Sequence, residues 1–281
     1  MIDIKDGLLQ IFNVDHGACA LLSMPGNRRI LIDCGHSADL NGKPWYPGAH
    51  LANLGVSFID LLICTNYDED HASGVPSLVD QNIAVGSILG NPTVPPEAIA
   101  YLKSEDGMGN GIAVLVNSLT DRQQRGVAQV VPEIPNVQLS YFWNPWPHWD
   151  SENNLSLVTC LSVYGWNFLF PGDMERDGFE NMLKFEPFSR LMPRIDVLMA
   201  SHHGRENGKC PAMFDIHHCS PELIVISDCA KRHQSQETTQ YYSQKARGLP
   251  NFREQGPRFV LTTRSDKEIH FLFESGTCRA L

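Results

Sequence analysis

Apolar residues come along this chain in short blocks separated by sharp turns. Leu8–Val14, Cys19–Met24 and Arg29–Cys34 are strand-like blocks rich in Leu, Ile and Phe, punctuated by Gly17 and by Pro25-Gly26. Strands joined by such tight turns form one sheet with a face against a core. Ala49–Leu54 reads as a short helix. Ile59–Thr65 is almost uniformly apolar, the pattern of a strand covered on both faces. The polar segment Asn66-Tyr-Asp-Glu-Asp-His71 follows directly, ahead of a small-residue helix start at Ala72–Pro76. Residues 91–152 are less regular. Helices are expected at Pro95–Lys103 and Leu119–Arg125, with a Gly-rich loop at Gly107–Gly111 between them. Pro145 and Pro147 oppose regular structure in the aromatic stretch Phe142–Trp149.

A second β series opens with a hairpin of Leu155–Val163 and Trp166–Phe170 about Tyr164-Gly165, ending in Pro171-Gly-Asp173. A helix at about Arg176–Phe185 and a strand at Ile195–Ala200 lead into Ser201-His-His-Gly204. A strand at Leu223–Ser227, a helix at Gln236–Arg247 and a closing hairpin of Phe259–Thr263 with Glu268–Phe273 complete the series. Both halves run strands first and helices after. The expectation is therefore an α/β (α+β) chain packed as a four-layer αββα sandwich. It is a single domain over 1–281 with a less regular insert at about 91–152.

Composition narrows the function. With 281 residues, 42% hydrophobic and 19% charged, the chain has the make-up of a globular protein with a sizeable core. Lys plus Arg is 22 against 32 Asp plus Glu, a net charge of −10. A general electrostatic grip on nucleic acid is thereby excluded, and any such role must rest on a local site or a metal. No apolar run approaches the ~20 residues of a membrane span, so a membrane partner is not expected. Met1-Ile-Asp-Ile-Lys-Asp carries acids where a secretory leader carries positive charge. Eight cysteines, scattered through strand-like runs, read as buried thiols of a reducing compartment. These features predict a cytoplasmic protein.

Candidate chemistry collects at the C-terminal ends of expected strands. Asp33 ends the third strand, and Asp68, Asp70 and His71 follow Ile59–Thr65. Asp173 follows the hairpin, His202 and His203 follow Ile195–Ala200, and His233 lies beyond Leu223–Ser227. Strand ends converge in space, and carboxylates with imidazoles make a shell for divalent metal. Asp68 has a structural alternative as a helix cap, and Asp173 as a turn residue. The Cys210, His217-His-Cys219 spacing matches no zinc finger.

Leu31-Ile-Asp-Cys-Gly35, Asn66-Tyr-Asp-Glu-Asp-His71, Asn153-Asn-Leu-Ser-Leu-Val158, Phe170-Pro-Gly-Asp173 and Ser201-His-His-Gly204 resemble, in order, the motifs of the metallo-β-lactamase superfamily. They are most similar to the hydrolase domain of ComEC-type DNA-uptake proteins, and the likeness runs from about residue 8 to 275. It implies a metallo-β-lactamase sandwich and a site for one or two divalent ions. Asp68 would ligate metal 1, Asp70, His71 and His202 metal 2, and Asp173 both, with Asp33 supporting the loop through hydrogen bonds. Asn66 stands at the motif's first histidine, where its amide oxygen would be a weak metal-1 ligand, and a third metal-1 histidine has no counterpart, the nearest groups being Glu152, Asn153 and His148. Metal 1 then has mostly oxygen ligands, which favours manganese or magnesium over zinc, or it binds weakly, or the site holds one ion. Three groups are catalytic candidates. Asp70 would orient water, and His233 would contact a phosphate or protonate a leaving group. His203 has no role fixed by the pattern.

The implied activity is that of a metal-dependent hydrolase. It resembles a phosphodiesterase or nuclease that uses a metal-bound hydroxide on DNA or a nucleotide. The alternatives are a catalytically weakened or inactive binding subunit of the same fold, or a hydrolase of a non-phosphate ester or lactone.

Overall fold

The computed structural model describes residues 5–104, 107–229 and 237–281. Its strands in chain order are β1 (Gly7–Ile11), β2 (Ala20–Met24), β3 (Arg28–Ile32), β4 (Ser37–Leu40), β5 (Lys43–Trp45), β6 (Phe58–Ile63), β7 (Ala84–Leu89), β8 (Val137–Phe142), β9 (Val158–Val163), β10 (Trp166–Phe170), β11 (Val197–Met199), β12 (Leu223–Ile226), β13 (Val260–Thr262), β14 (Ile269–Glu274) and β15 (Thr277–Ala280). The period-2 geometry of a strand splits each apolar block between two cores. Leu9, Ile11, Leu22, Ile30 and Ile32 point into the space between two sheets, where they meet Leu161, Phe168 and Val225. Their neighbours Leu21 and Leu31, with Phe12, face helices on the outer side. Cys160, Leu169 and Leu198 do the same on the far sheet, against Phe179, Phe188 and Met213. Apolar residues on both faces of both sheets give the four-layer αββα sandwich of an α/β chain.

One sheet runs β15-β14-β1-β2-β3-β6-β7 and the other β13-β12-β11-β10-β9-β8, with β4 and β5 a separate ribbon. The pairs β3–β6, β6–β7, β10–β11, β11–β12 and β12–β13 are parallel. Consequently the C-terminal ends of β3, β6, β10, β11 and β12 all open on one edge of the sandwich, the usual place for a site in parallel sheets. Tyr164 and Gly165 turn the β9–β10 hairpin with φ of 51° and 88°, the left-handed pair such a tight turn requires.

Four expectations change. Phe259–Thr263 and Glu268–Phe273 do not form a hairpin: β13 lies parallel to β12 in the second sheet and β14 antiparallel to β1 in the first. The short helix Thr263–Asp266 turns the chain between them, fixed by the buried Asp266 carboxylate, which accepts from Thr262 N and Arg258. The helix expected at Leu119–Arg125 spans Asn110–Gln124, starting inside the Gly-rich segment. Gly111 makes that start possible, because a Cβ there would lie 2.3 Å from Ala72 O. The irregular stretch also contains β8, which adds the edge strand of the second sheet. The helix expected at Gln236–Arg247 spans Thr239–Ser243 among the described residues.

Candidate metal centre

The loops after β3 and β6 are tied together by backbone bonds. Asp33 N donates to Ile63 O at 2.7 Å, Cys34 N to His71 O at 2.8 Å and Ala18 N to Asp70 O at 3.3 Å. Side chains larger than hydrogen do not fit here: a Cβ on Gly17 or on Gly35 would come within 2.4 Å of Asp70 O. Asp33 itself sits at φ 55° and is almost wholly buried. Its carboxylate accepts from Thr65 N at 2.7 Å, from Thr65 Oγ1 at 2.5 Å and from His71 Nδ1 at 2.9 Å. The proton of His71 is thereby held on Nδ1, and Nε2 faces Asp173 Oδ1 at 3.1 Å.

The opposite wall comes from the loops after β10, β11 and β12. Gly172, at φ 60°, packs closely against Thr65 and Ser156, where a Cβ would lie 3.0 Å from Thr65 O and Ser156 Oγ, and Asp173 N donates to Ser156 Oγ at 3.1 Å. His202 and His203 both adopt left-handed backbone, φ 51° and 52°. Such conformations cost about 1–3 kcal/mol each and persist only when their surroundings hold them. Here His202 N donates to Gly172 O at 3.1 Å, and Ser201 Oγ to Met174 O at 2.6 Å. The turn aims His203 inward. Its Nδ1 donates to Ser227 O at 3.1 Å, leaving Nε2 3.2 Å from Asp70 Oδ2 and 3.5 Å from Asp173 Oδ1.

Asp70, His71 and His203 thus bring ligand atoms within 4.8 Å of one another, with the Asp173 carboxylate between the two rings. Burial works against charge on every member, yet the groups hold one another ionised. His71 stays well above its usual value because Asp173 and then Asp33 outweigh burial. His203 is raised by Asp173 and Asp70, again against burial. Asp173 and Asp70 are drawn below the usual carboxylate range, with His203 the leading partner of each, against burial. A small cavity of about 40 Å³ borders Asp33, Thr65, His71, Asp173 and His203. His203 Nε2 and His202 Nδ1 are buried without an aligned hydrogen-bond partner. Converging carboxylates, two imidazoles fixed through their far nitrogens and an unsatisfied ring nitrogen fit a divalent cation.

His202 stands one step outside. Its Nε2 is 3.8 Å from Asp173 Oδ2 and accepts from Arg205 Nη1 at 3.1 Å, and burial lowers its pKa. The ring reaching the cluster is therefore His203, the one the sequence pattern left without a metal role. Asn66 is fully buried, with Oδ1 accepting from Tyr67 N and Nδ2 donating to Asn153 Oδ1 at 3.2 Å. Asp68 begins the helix Glu69–Ala72, but its carboxylate turns away from that helix to Lys103 Nζ, which also binds Glu152. Burial and the neighbouring Asp68 push the Glu152 carboxyl up to about 7, with Lys103 opposing. Glu69, between two candidates, has another task. It accepts from Gly111 N at 2.8 Å and Ile112 N at 3.0 Å, at the positive start of the Asn110–Gln124 helix. His233 lies outside the described residues. Sequence reasoning missed Thr65, Ser227 and Lys103. Ser227 acts through a backbone carbonyl, which no residue pattern reveals, and a lysine closing a helix reads as an ordinary dipole partner.

The metallo-β-lactamase superfamily model matches residues 13–101, the stretch that carries Asp33, Asp68, Asp70 and His71. Over 240 residues, 79% of this chain, the sequence is 24% identical to ComE operon protein 3 of Bacillus subtilis (strain 168). This chain is similar in sequence and in fold to the metallo-β-lactamase superfamily. Its sequence likeness is of ComEC type, and it spans 28% of that relative's length. Among solved structures, CmlA, a diiron β-hydroxylase from Streptomyces venezuelae, superimposes with TM-score 0.50 at 11% identity, over 87% of this chain and 51% of that one. The E377D mutant of CmlA β-hydroxylase gives TM-score 0.51 at 11% identity, over 97% and 55%. At that identity the likeness concerns the fold. Asp70, His71 and His203 offer this fold the donor set of a divalent-cation site. No helix among the described residues is long and apolar enough to cross a membrane.

Proposed function

We propose that this chain hydrolyses a phosphodiester, in DNA or a nucleotide, with a divalent cation held by Asp70, His71, Asp173 and His203. Manganese and zinc suit the mixed oxygen and nitrogen donors, with magnesium the weaker match to imidazole. The observation that carries the reading is the pairing of Asp173 with two imidazoles whose far nitrogens are already anchored, on Asp33 and on Ser227 O. A cation bound there supplies positive charge to a phosphoryl oxygen and acidifies water near neutral pH. The chain's residues do the rest. Asp33 and Ser227 O fix the rings, so no reorganisation is needed when substrate arrives. Asp70 is the cluster's opening to solvent, its side chain 40% exposed, and its Oδ2 is placed to accept a proton from an incoming water. The Arg205 guanidinium, beside His202, offers positive charge to an anionic substrate on an otherwise acidic protein. The likeness to ComE operon protein 3 supports a place in DNA uptake. The six buried thiols, Cys19, Cys34, Cys64, Cys160, Cys210 and Cys219, support a cytoplasmic location.

The test is incubation of the Mn²⁺-loaded protein with bis-p-nitrophenyl phosphate, single-stranded DNA and cyclic dinucleotides. Turnover of at least one, lost in Asp70→Asn, is expected. Metal-loaded protein that cleaves none of them overturns the phosphodiester assignment.

A further inference from the structure

The two halves of the family's dinuclear pattern are in opposite states in this chain. The Asp70, His71, His203 and Asp173 half has unsatisfied nitrogen and close-facing carboxylates. In the other half Asn66, Asp68, Glu152 and Asn153 are each already bonded to protein. Asn66 Oδ1 accepts from Tyr67 N, and its amide donates to Asn153. Asn153 in turn donates to Glu175 Oε1 at 3.0 Å. Asp68 and Glu152, which belong to separate loops 84 residues apart, both close on a single group, the Lys103 ammonium. The lysine reaches them from the end of the helix Pro96–Leu102, and only 10% of its side chain is exposed.

We propose that the Lys103 ammonium stands in the place of the first ion, so that this chain holds one divalent cation rather than two. This rests on the metal centre proposed above. The physical case is one of charge and donors. Two converging carboxylates in a half-buried site need a cation, and leaving them unpaired is costly. Lys103 provides one that is covalently part of the chain and has N–H donors for both. A divalent ion entering there would have to expel the ammonium and find ligands from an amide already engaged and no imidazole. Asn66 is consistent with this arrangement: where the usual motif has a histidine to bind metal, this chain has a side chain that knits its own loop. A lysine is a fixed, hydrated point charge that can face an anionic substrate but cannot act as a Lewis acid. The Lewis-acid part of the chemistry then falls to the single remaining site.

The experiment is metal counting on the full chain. Chelator-stripped protein is re-loaded with Mn²⁺, desalted, analysed by elemental mass spectrometry and examined by electron paramagnetic resonance. Wild type is expected to retain one equivalent with the six-line signal of an isolated Mn²⁺. That equivalent should disappear in Asp173→Ala and persist in Asp68→Asn. Lys103→Met, with Asp68 and Glu152 left facing each other, should take up a second equivalent at raised Mn²⁺, whereas Lys103→Arg should stay at one. Two equivalents with a spin-coupled signal in wild type would overturn the proposal while leaving the metal centre intact. So would a Lys103→Met protein that folds and still binds only one. Loss of the single equivalent in Asp68→Asn but not in Asp173→Ala would overturn it too, by placing the ion in the wrong half. A wild-type protein that binds none overturns the centre and this inference together. Failure to cleave phosphodiesters leaves the count untouched, so the two proposals fail separately. The wild-type count decides even if a Lys103 variant does not fold.

Discussion

Replacing Asp33 by asparagine should weaken metal binding without Asp33 touching the metal. The change is close to isosteric, and asparagine is among the residues that tolerate the left-handed backbone at φ 55°. What it removes is one acceptor. The Asp33 carboxylate takes hydrogen bonds from Thr65 N, Thr65 Oγ1 and His71 Nδ1. An amide oxygen in the Oδ1 position keeps the Thr65 N bond, but the NH₂ in the Oδ2 position then faces Thr65 Oγ1, which can turn to accept, and His71 Nδ1–H, donor against donor. The ring relieves this by moving its proton to Nε2, the nitrogen 3.1 Å from Asp173 Oδ1, where an ion would need a lone pair. Groups in this outer position are worth about 10–100-fold in metal affinity, roughly 1.4–2.8 kcal/mol. The metal-free fold should also lose about 1.5–3 kcal/mol for a buried hydrogen bond to a charged group. That is a fall of roughly 3–12 °C in unfolding temperature. Calorimetric titration with Mn²⁺ measures the first quantity and thermal unfolding in chelator the second. Thr65→Val is the control. It removes one bond to Asp33 but leaves the His71 contact, so its metal affinity should stay within a few-fold of wild type. An Asp33→Asn protein that folds and binds Mn²⁺ as tightly as wild type would refute this account of how the ring is held.

Other perturbations probe different parts of the same site. His203→Ala should abolish retention of Mn²⁺ while His202→Ala only reduces it, read by elemental analysis after desalting, and the opposite ranking would exchange their roles. Because Asp173, Asp33 and Asp70 hold His71 and His203 above the ordinary value of 6.5, both rings must shed a proton before ligating. Apparent Mn²⁺ affinity should therefore rise with pH above that value, by up to about tenfold per displaced proton per pH unit, and a titration series flat between pH 6 and 8 would contradict it. By the same linkage the metal-free fold has its full ring contribution below about pH 6.5 and loses it as pH climbs through the raised values, visible as a falling midpoint in urea. Gly35→Ala places a methyl 2.4 Å from Asp70 O and 2.9 Å from Ala18 O, both backbone atoms that cannot swing aside. It should cost about 1–3 kcal/mol and displace Asp70, lowering thermal stability and metal affinity together, whereas Gly42→Ala, with open space around it, should lower stability without altering affinity.

The sequence revealed most where a residue's job follows from its own type and neighbours. The almost uniformly apolar Ile59–Thr65 reads as a strand covered on both faces, and its polar continuation then lies at that strand's end. The same reasoning located the loops carrying Asp33, Asp173 and Ser201–Gly204. It failed where two readings share one pattern. Val260–Thr262 and Ile269–Glu274 alternate like hairpin arms, yet a four-residue helix sends them to different sheets. Within Asp68-Glu-Asp-His71 the string shows three acids and a histidine with no hint that their partners differ. Asp68 finds Lys103, Glu69 the start of a distant helix, Asp70 His203, and His71 both Asp33 and Asp173. Those partners lie 35 or more positions away in sequence in every case, so they are decided by packing alone.

The same comparison shows why His202 and His203 were hard to tell apart. Adjacent residues in ordinary extended or helical backbone point in directions fixed by the element, and a pattern match can say which one faces inward. Both rings here lie in left-handed backbone, at φ 51° and 52°, followed by Gly204 at 72°. Three successive residues in that region form a tight reversal that no secondary-structure period describes. Its direction is set by Ser201 Oγ, His202 N and the carbonyls of Gly172 and Met174, groups contributed by the Pro171-Gly-Asp173 loop. The strain in one loop is thus held by the loop that carries Asp173. It follows that the position of the inward ring and of the carboxylate it faces are fixed together. A substitution that frees Gly172 from its close approach to Thr65 and Ser156 should therefore misplace His203 and Asp173 as a pair.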